Sequence, residues 1–298
     1  MTAVEEERVV PAVPETPPRA AGLIRTAWAF PQAKVGTVLA GVVVLVALLG
    51  PWLGPILTGH TTTDFAGKPF KPGGLMGTDG LGRDVLTRFL AGGTTLLLYA
   101  VLATALGIVL GALLGMIAGY GGGWLDSLLM RGNDVLLSFP QLVIALLAIA
   151  VIGPKGWLLV LVIGLTHAPR TARVARQATV SVRNHDYIRA AEMYAVPRGR
   201  ILLREILPNI TGPLMVELGL RLTYSIGYIA SLSFLGLGIQ PPAADWGLMI
   251  NENRIALVVQ PWGVLLPVVA IAVLAVGTNL VADSLASAAA GRTREDRG

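Results

Sequence analysis

The 298-residue sequence contains no cysteine, only three histidines and few charged residues, and each shortage excludes a class of protein. Without cysteine the chain can form no disulfide, iron–sulfur cluster or thiolate zinc site. Asp, Glu, Lys and Arg make up 14% of the residues, against about 25% in soluble domains, which argues against an ordinary globular enzyme. The chain is instead 54% hydrophobic, with a mean hydropathy of +0.68. The net charge of +5 therefore indicates arginines at a lipid surface rather than nucleic-acid binding, and we expect an integral membrane protein.

Six apolar stretches predict transmembrane helices, because crossing the hydrocarbon core takes about 20 apolar residues. They are Val35–Ile56, Phe89–Leu125, Val135–Gly153, Gly156–Arg173, Ile210–Gly236 and Pro261–Ala282. The fourth stretch is apolar only to Thr166 and crosses only if its helix continues through Pro169. The sequence thus predicts an all-α, six-helix membrane domain over residues 31–285. A disordered or interfacial N-terminal tail, 1–30, precedes it, and a basic tail, 286–298, follows.

The distribution of Lys and Arg predicts which side each loop faces, since cytoplasmic loops carry the excess of positive charge. Sixteen of these residues fall on the side that holds both termini, and eight of the sixteen lie in the segment 168–208. Six fall on the opposite side, and Arg221 lies inside a predicted span. We therefore expect both termini in the cytoplasm, with lipid around the spans.

Four glycines recur every fourth residue in the second predicted span: Gly107, Gly111, Gly115 and Gly119. On a helix this spacing makes a nearly straight groove that lets another backbone approach closely. The stripe predicts tight helix packing, either with a partner protein or with another helix of the same chain.

Two charged residues, Glu217 and Arg221, interrupt the fifth predicted span. Their i, i+4 spacing places them on one helix face. An unpaired charge at the bilayer centre costs roughly 2.5–3.5 kcal/mol on insertion scales, so such residues face a protein interior or a water-filled path. The pair is interpreted either as part of a translocation path or as a structural ion pair near the end of the helix.

The segment of about 170–208 is a large connection for a compact six-helix protein. Residues 184–195 predict a helix with polar N-cap candidates, and Pro197 disfavours the α conformation at Val196 and ends it. A second, basic helix is predicted from Arg198 to Ile206, with Pro208 interrupting the chain before the next span. The small side chains of Ala190 and Ala191 would let a groove on another protein approach. The alternative is an amphipathic helix held to anionic lipid by its arginines.

Three sequence motifs, in order, resemble a known family. R-A-A-E-M-Y-A at Arg189–Ala195, followed by I-L-P-N at Ile206–Asn209, resembles the EAA motif of permease subunits of ABC importers. G-T-D-G-L-G-R-D-V-L-T-R at Gly77–Arg88 and S-L-S-F-L-G-L-G-I-Q-P-P-A-A-D-W-G at Ser231–Gly247 are similar to C-type permeases of dipeptide, oligopeptide and nickel systems.

This resemblance implies a type I ABC importer permease fold whose cytoplasmic coupling helices seat in an ATPase subunit. The residues that would carry the coupling are Asp186, Tyr187, Arg189, Ala190, Ala191, Glu192, Ala195 and Pro208. It also implies three kinds of partner: a homologous B-type permease, one or two ATPase subunits, and an extracytoplasmic solute-binding protein. The family's glycine, which turns the chain with a positive φ, is Ala195 here, and we expect Val196 and Pro197 to make the turn by restriction instead.

Catalytic motifs are missing from the sequence. It has no G-x-x-x-x-G-K-[ST] for ATP, no G-x-S-x-G or H-E-x-x-H for hydrolysis, and its histidines lack metal-ligand spacing. We expect no enzyme activity, no cofactor and no metal site, with ATP bound by partner subunits. The sequence therefore predicts a permease subunit of an ATP-driven importer for di- or oligopeptides. A nickel chelate or another small solute is the alternative cargo, and a secondary transporter is the rival function.

Overall fold

The computed structural model describes residues 20–71 and 75–295, which form helices joined by turns. Across these residues the only extended pairings are two isolated β-bridges, so the expected all-α class is confirmed. The helices are α1 (Ala20–Ala27), α2 (Pro31–Thr58), α3 (Val85–Gly121), α4 (Gly123–Leu137), α5 (Gln141–Ile152), α6 (Gly156–Arg183), α7 (Asp186–Met193), α8 (Arg198–Arg200), α9 (Leu207–Phe234), α10 (Trp246–Asn253) and α11 (Trp262–Glu295). A π-helical turn, Ile201–Ile206, joins α8 to α9, and a 3₁₀ turn, Arg254–Ala256, follows α10.

Within the described residues, α2, α3, α6 and α11 are long and apolar enough to cross a membrane. α4 and α5 add a fifth span if the two are taken together, although their axes differ by 78°. α9 is as long as α6 and lies where the fifth span was predicted, but it contains Glu217 and Arg221 and is not one of those four. The predicted six spans thus correspond to four single helices, one bent pair and α9.

The predicted second and third spans have different boundaries in the structure, and glycine and proline explain why. α3 ends at Gly121 because Gly122 and Gly123 have φ values of 63° and 55°, which turn the chain before Leu125. The third span is broken at Ser138–Pro140, since Pro140 has no N–H with which to continue α4. α5 alone has 12 residues, about 18 Å of helix, and is too short to cross by itself.

α3 is the central helix and packs against α2, α6 and α9. Asp84 caps its N-terminus by accepting a hydrogen bond from the Thr87 N–H at 2.8 Å. The main apolar core lies between α2, α3, α5, α6, α9, α10 and α11. Two smaller apolar clusters lie at one end of the bundle, one beneath α7 and one between α1 and α11.

Helices occupy part of both expected terminal segments. Residues 1–19 lie outside the described residues, but α1 packs against α11, where Leu23 and Ala27 are buried with Leu285 and Ala288. α11 continues past residue 285 to Glu295, so the predicted start of a tail at 286 falls within a helix. The bundle end that holds α1 and the end of α11 also holds α7, α8 and the start of α9.

Candidate functional site

α7 lies on the surface of the bundle and is fixed by one deeply buried side chain. Ile188 is fully buried in the cluster that α3, α6 and α9 form beneath it. Asp186, Arg189 and Glu192 of α7 are exposed. The helix therefore presents a charged face outward and an apolar anchor inward, as the amphipathic pattern of the segment predicts.

The two alanines of the motif do not lie fully on that outer face. Ala190 and Ala191 are half-buried, and Ala191 packs against the apolar cluster beneath α7. Bulk at Ala191 would therefore disturb the chain's own packing before it disturbed a partner. The expectation that a partner approaches these two small side chains stays a prediction.

The turn after α7 depends on Ala195, which has a φ of 52°. The Ala195 N–H donates to the Glu192 carbonyl at 3.0 Å, and the Val196 N–H donates to the Ala191 carbonyl at 3.1 Å. This pair of hydrogen bonds is the Schellman pattern, in which a left-handed residue ends a helix. The expectation that Val196 and Pro197 make the turn by restriction is wrong, because Ala195 itself adopts the conformation that favours glycine.

A side-chain hydrogen bond joins α7 to the second half of the motif, Ile206–Asn209. The Asn209 Nδ2 donates to the Tyr187 hydroxyl at 3.0 Å and to the Glu205 carbonyl at 2.6 Å. Burial, reinforced by the nearby Glu205 carboxylate, raises the pKa of the Tyr187 phenol above its usual value. The phenol thus stays neutral, and α7 is tied to the start of α9.

The connection into α9 contains no interruption at Pro208, contrary to expectation. α8, the π-helical turn and α9 follow one another without a break, and Pro208 lies in the first turn of α9. Proline cannot donate the usual i→i−4 hydrogen bond, and a wider turn places its ring without a clash. The expected loop is also shorter than 170–208, because α6 continues to Arg183.

Met193 and Tyr194, which sequence reasoning missed, are the most exposed large side chains at this end of α7. They are 81% and 84% exposed. Adjacent Met and Tyr side chains in water are typical of a surface that binds another protein. Their position in the sequence, between the charged helix and Pro197, was the signal that could have indicated their exposure. Together with Asp186, Arg189 and Glu192 they form what we call the α7 surface.

Glu217 and Arg221 form a buried ion pair on α9. The Arg221 Nε lies 2.9 Å from the Glu217 Oε2, and both side chains are less than 10% exposed. Further along α9, the Ser225 hydroxyl lies 3.0 Å from the His167 Nε2 of α6 and 2.9 Å from the Thr104 hydroxyl of α3. One face of α9 therefore presents a polar seam to α3 and α6.

The glycine stripe of α3 lies against α6 of the same chain. A Cβ at Gly107 would come within 2.7 Å of the His167 Cβ, and one at Gly111 within 2.5 Å of the Thr171 Cβ. At Gly115 and Gly119 it would lie 2.4 Å and 2.8 Å from carbonyl oxygens of α6. The stripe thus belongs to an interface within the chain, the second of the two interpretations above.

A cluster of four charges joins the Gly77–Arg88 motif to α10 at the opposite end of the bundle. The Asp79 Oδ2 accepts from the Arg83 Nε at 2.8 Å and from the Arg88 Nη1 at 2.6 Å. The Glu252 Oε2 of α10 lies 2.6 Å from the same Arg88 nitrogen and 3.1 Å from the Arg83 Nη2. Arg88 is fully buried, so the cluster connects the start of α3 to α10.

Asp79 is the central acceptor of this cluster. Burial alone would raise the pKa of its carboxyl, but hydrogen bonds from the Arg83 N–H and the Arg88 guanidinium outweigh burial and hold the pKa below its usual value. A lowered folded-state pKa stabilises the fold at pH values above the unfolded-state pKa. That stabilisation is lost as the pH falls through the lowered value.

Nearby, α10 is anchored by its first residue. The Trp246 side chain is fully buried, donates from Nε1 to the Phe89 carbonyl at 2.7 Å and stacks on the Phe89 ring. Gly92 and Gly93 of α3 give this indole its space. The motif residues at this end therefore hold α10 against the start of α3. The described residues contain no group of three His, Asp or Glu side chains suited to a metal ion.

Comparison with known proteins identifies what this arrangement belongs to. A family model described as the inner membrane component of binding-protein-dependent transport systems matches residues 107–295, from the glycine stripe to the end of α11. The chain belongs to this family. The match confirms the resemblance inferred from the three motifs. It makes the chain a multi-pass permease subunit of an ABC transporter, without a catalytic site, in which a separate subunit is the ATPase.

Individual relatives of this permease extend the match over most of its length. A dipeptide transport system permease of Alkalihalophilus pseudofirmus is 31% identical over 268 residues, covering 87% of this chain and 88% of the relative. A putative peptide transport system permease of Brucella suis is 36% identical and covers 85% of each chain. A glutathione transport system permease of Pectobacterium atrosepticum is 36% identical, covering 72% of this chain and 71% of its own.

Proposed function

We propose that the chain is the C-type permease subunit of an ATP-driven importer for di- or oligopeptides, and that it forms the translocation path together with a homologous B-type permease. The observation that carries the proposal is the α7 surface, a rigidly held and exposed helix at one end of the bundle. The peptide cargo is supported by the relatives, which are described as transporting dipeptides, peptides and glutathione. Nickel chelate or another small solute is the alternative cargo for the same machinery.

In this proposal an ATPase subunit docks on the α7 surface and moves it when ATP binds. Ile188, the Tyr187–Asn209 hydrogen bond and the Schellman turn hold α7 to the chain, so that α7 cannot move independently of its neighbours. The uninterrupted path through α8 and the π-helical turn leads directly into α9. Motion at α7 would thus be transmitted to the polar seam of α9 inside the bundle.

The proposal places both termini and the α7 surface in the cytoplasm of a bacterium, in its inner membrane. The excess of Lys and Arg supports this orientation, since without Arg170, which lies inside α6, fifteen of the 23 fall on the side of the termini and six on the other. The opposite end, with the charge cluster and α10, would then receive an extracytoplasmic solute-binding protein. The secondary-transporter rival would need free intramembrane carboxylates, whereas Glu217 is held by Arg221.

The test is substitution of the exposed residues of the α7 surface in the assembled complex. Met193→Asp and Tyr194→Asp each introduce a charge at an exposed position. Because surface substitutions rarely change stability much, the fold should remain intact. The ATPase should co-purify at a reduced level, and uptake of a labelled dipeptide should fall at least tenfold. Retention of the ATPase and normal uptake in both variants would contradict the proposal.

The matched control is Arg294→Ala, in the C-terminal segment outside the α7 surface, which should change neither readout. Membrane levels of Met193→Asp and Tyr194→Asp should equal those of the unsubstituted chain, because both side chains are exposed. Uptake of a nickel chelate in place of dipeptides, with the same sensitivity to Tyr194→Asp, would support the alternative cargo.

A further inference from the structure

The break between α4 and α5 opens a cavity whose lining contains a single charge. Its volume is about 430 Å³, within the range of about 300–1,000 Å³ typical of small-molecule sites. Its lining contains five polar residues, Ser138, Gln141, Thr166, Arg170 and Tyr228, beside apolar side chains of α4 and α5. Arg170 is the one residue among them that carries a charge.

Arg170 differs from the next two arginines of α6 in having no acidic partner. Arg173 lies 2.6 Å from an Asp134 oxygen, and Arg176 binds both Asp126 oxygens at 2.5 and 2.6 Å. Arg170 makes no ion pair with any residue in the described parts of the chain, and its side chain is exposed to the cavity. α4 thus neutralises the two arginines nearer the α7 end and leaves the third free.

The depth of Arg170 makes an unpaired charge unusual. It lies 14 residues from the start of α6 at Gly156, which at 1.5 Å per residue is about 21 Å along the helix. A charge at such a depth is costly unless it faces water or a counter-ion. An open cavity that contains no acid supplies water and leaves the counter-ion to come from outside the chain.

The other polar groups of the cavity are held in place and have hydrogen-bonding capacity left. The Gln141 Nε2 lies 3.2 Å from the His167 Nδ1, which orients the amide and leaves its carbonyl oxygen available. The Tyr228 ring packs at a tilt against the His167 ring, and Tyr228 lines the cavity. A guanidinium with nearby hydroxyl and amide groups is suited to a carboxylate, which it binds with two parallel hydrogen bonds.

We infer that Arg170 binds a carboxylate of the solute as it passes through the permease, and that Tyr228 and Gln141 complete this site. The inference rests on the proposed function and adds that this chain itself selects for solutes bearing a carboxylate. The shared chemistry also fits the anionic headgroup of a lipid, which the experiments below distinguish.

The first experiment measures the electrostatic effect of Arg170 at the cavity lining, without a substrate. Because the chain has no cysteine, Leu136→Cys places a single thiol at the cavity lining. In the assembled complex this thiol should react faster with an anionic than with a cationic methanethiosulfonate of similar size. Arg170→Gln should reduce that ratio by about tenfold, whereas the matched control Arg173→Gln should not. An unchanged ratio in Arg170→Gln would overturn the inference, even if the complex transports peptides.

The second experiment measures uptake of a labelled dipeptide with neutral side chains into proteoliposomes that contain the complex. Arg170→Gln should lower uptake at least tenfold with the ATPase still bound, Arg170→Lys should restore part of it, and Arg173→Gln should have little effect. Normal uptake in Arg170→Gln would overturn the inference. Failure of the unsubstituted complex to take up any peptide would instead contradict the proposed function, leaving the thiol experiment to decide the site.

The lipid composition of the vesicles distinguishes a bound lipid headgroup from a solute carboxylate. If an anionic lipid occupies the cavity, adding phosphatidylglycerol to phosphatidylcholine vesicles should abolish the preference for the anionic reagent in the unsubstituted background. Peptide uptake would then be the same with Arg or Gln at position 170. That combination would overturn the solute assignment, whereas a preference that a carboxylate dipeptide suppresses in both vesicle types would support it.

Discussion

At the scale of single residues, Ala195 has a strained backbone conformation at the end of α7. Its φ of 52° is one that a side chain destabilises by about 1–2 kcal/mol relative to the right-handed region. The Schellman hydrogen bonds to Glu192 and Ala191 hold it there nevertheless. The turn between α7 and α8 is therefore a defined part of the α7 surface, and its geometry depends on one residue.

Substitutions at Ala195 should separate backbone strain from side-chain contact. Ala195→Gly removes the strain and should keep or raise ATPase retention and uptake, because glycine adopts positive φ at no steric cost. Ala195→Val should lower both severalfold, since a β-branched residue at positive φ is a true outlier. The readouts are co-purification of the ATPase and dipeptide uptake in the assembled complex.

Gly199→Ala is the matched control for Ala195. Gly199 is exposed, and a Cβ there has nothing within 4 Å. Gly199→Ala should therefore match the unsubstituted chain in ATPase co-purification and dipeptide uptake. Equal activity in Ala195→Gly and Ala195→Val would show that the left-handed turn is not needed for coupling.

At the scale of elements, α3 and α6 can pack closely because glycines of α3 present no side chain to α6. Gly115 faces the Ala172 carbonyl and the Ala175 Cβ so closely that a methyl group would lie 2.4 Å and 2.6 Å from them. Backbone oxygens in a helix cannot move aside without disturbing that helix, so the two axes would have to separate. The stripe sets the distance between the central helix and the helix that carries Arg170.

Gly115→Ala should therefore destabilise the complex although alanine is the better helix former. Overpacking costs typically about 1–3 kcal/mol, more than the 1 kcal/mol or so that alanine contributes to an isolated helix. Thermal denaturation followed by size-exclusion chromatography should show a lower transition temperature for Gly115→Ala. Gly41→Ala, on α2 where a Cβ meets nothing within 4 Å, should have an equal or higher transition temperature. A stabilised Gly115→Ala would contradict the tight α3–α6 contact.

The sequence predicts the elements of the bundle well because long apolar runs leave few alternatives in a membrane. It fails where a local signal has two structural outcomes. Pro169 and Pro208 both suggested boundaries, yet α6 runs through the first and the second lies in the first turn of α9 after a π-helical turn. Pro140, with the same local signal, does break the chain. Neighbouring helices decide which outcome occurs, and one sequence does not contain their positions.

For the functional residues too, the sequence predicts the location of the motif but not which side chains are exposed. The motif at Arg189–Ala195 could be located from the sequence, but which side chains face outward depends on how Ile188 is buried. Met193 and Tyr194 are exposed because α7 ends between them and the turn at Ala195 directs the chain back to the bundle. Arg170 was one of eight arginines in a predicted loop, and its place in the cavity between α4 and α5, beside the paired Arg173 and Arg176, sets it apart.

At the scale of the whole molecule, the bundle has two chemically different ends. One end holds the α7 surface, α1 and the end of α11, and the other holds the charge cluster around Arg88 together with α10. α3, with 37 residues, or about 55 Å, runs from one end to the other and exceeds the thickness of the hydrocarbon core. An importer needs this polarity, because ATPases and the solute-binding protein dock on opposite sides.

The proposed orientation predicts which positions a membrane-impermeant maleimide can reach in intact cells. Phe65→Cys and Val258→Cys are suitable at one end, since these side chains are 81% and 98% exposed, whereas Ala244 is buried and would react poorly. Both should be labelled in spheroplasts without lysis. Tyr194→Cys, at 84% exposure, should be labelled only after lysis and should be protected when the ATPase is bound. Because all three side chains are similarly exposed, differences in labelling report the membrane rather than burial. Labelling of Tyr194→Cys in intact spheroplasts would reverse the orientation and remove the ATPase from the α7 surface.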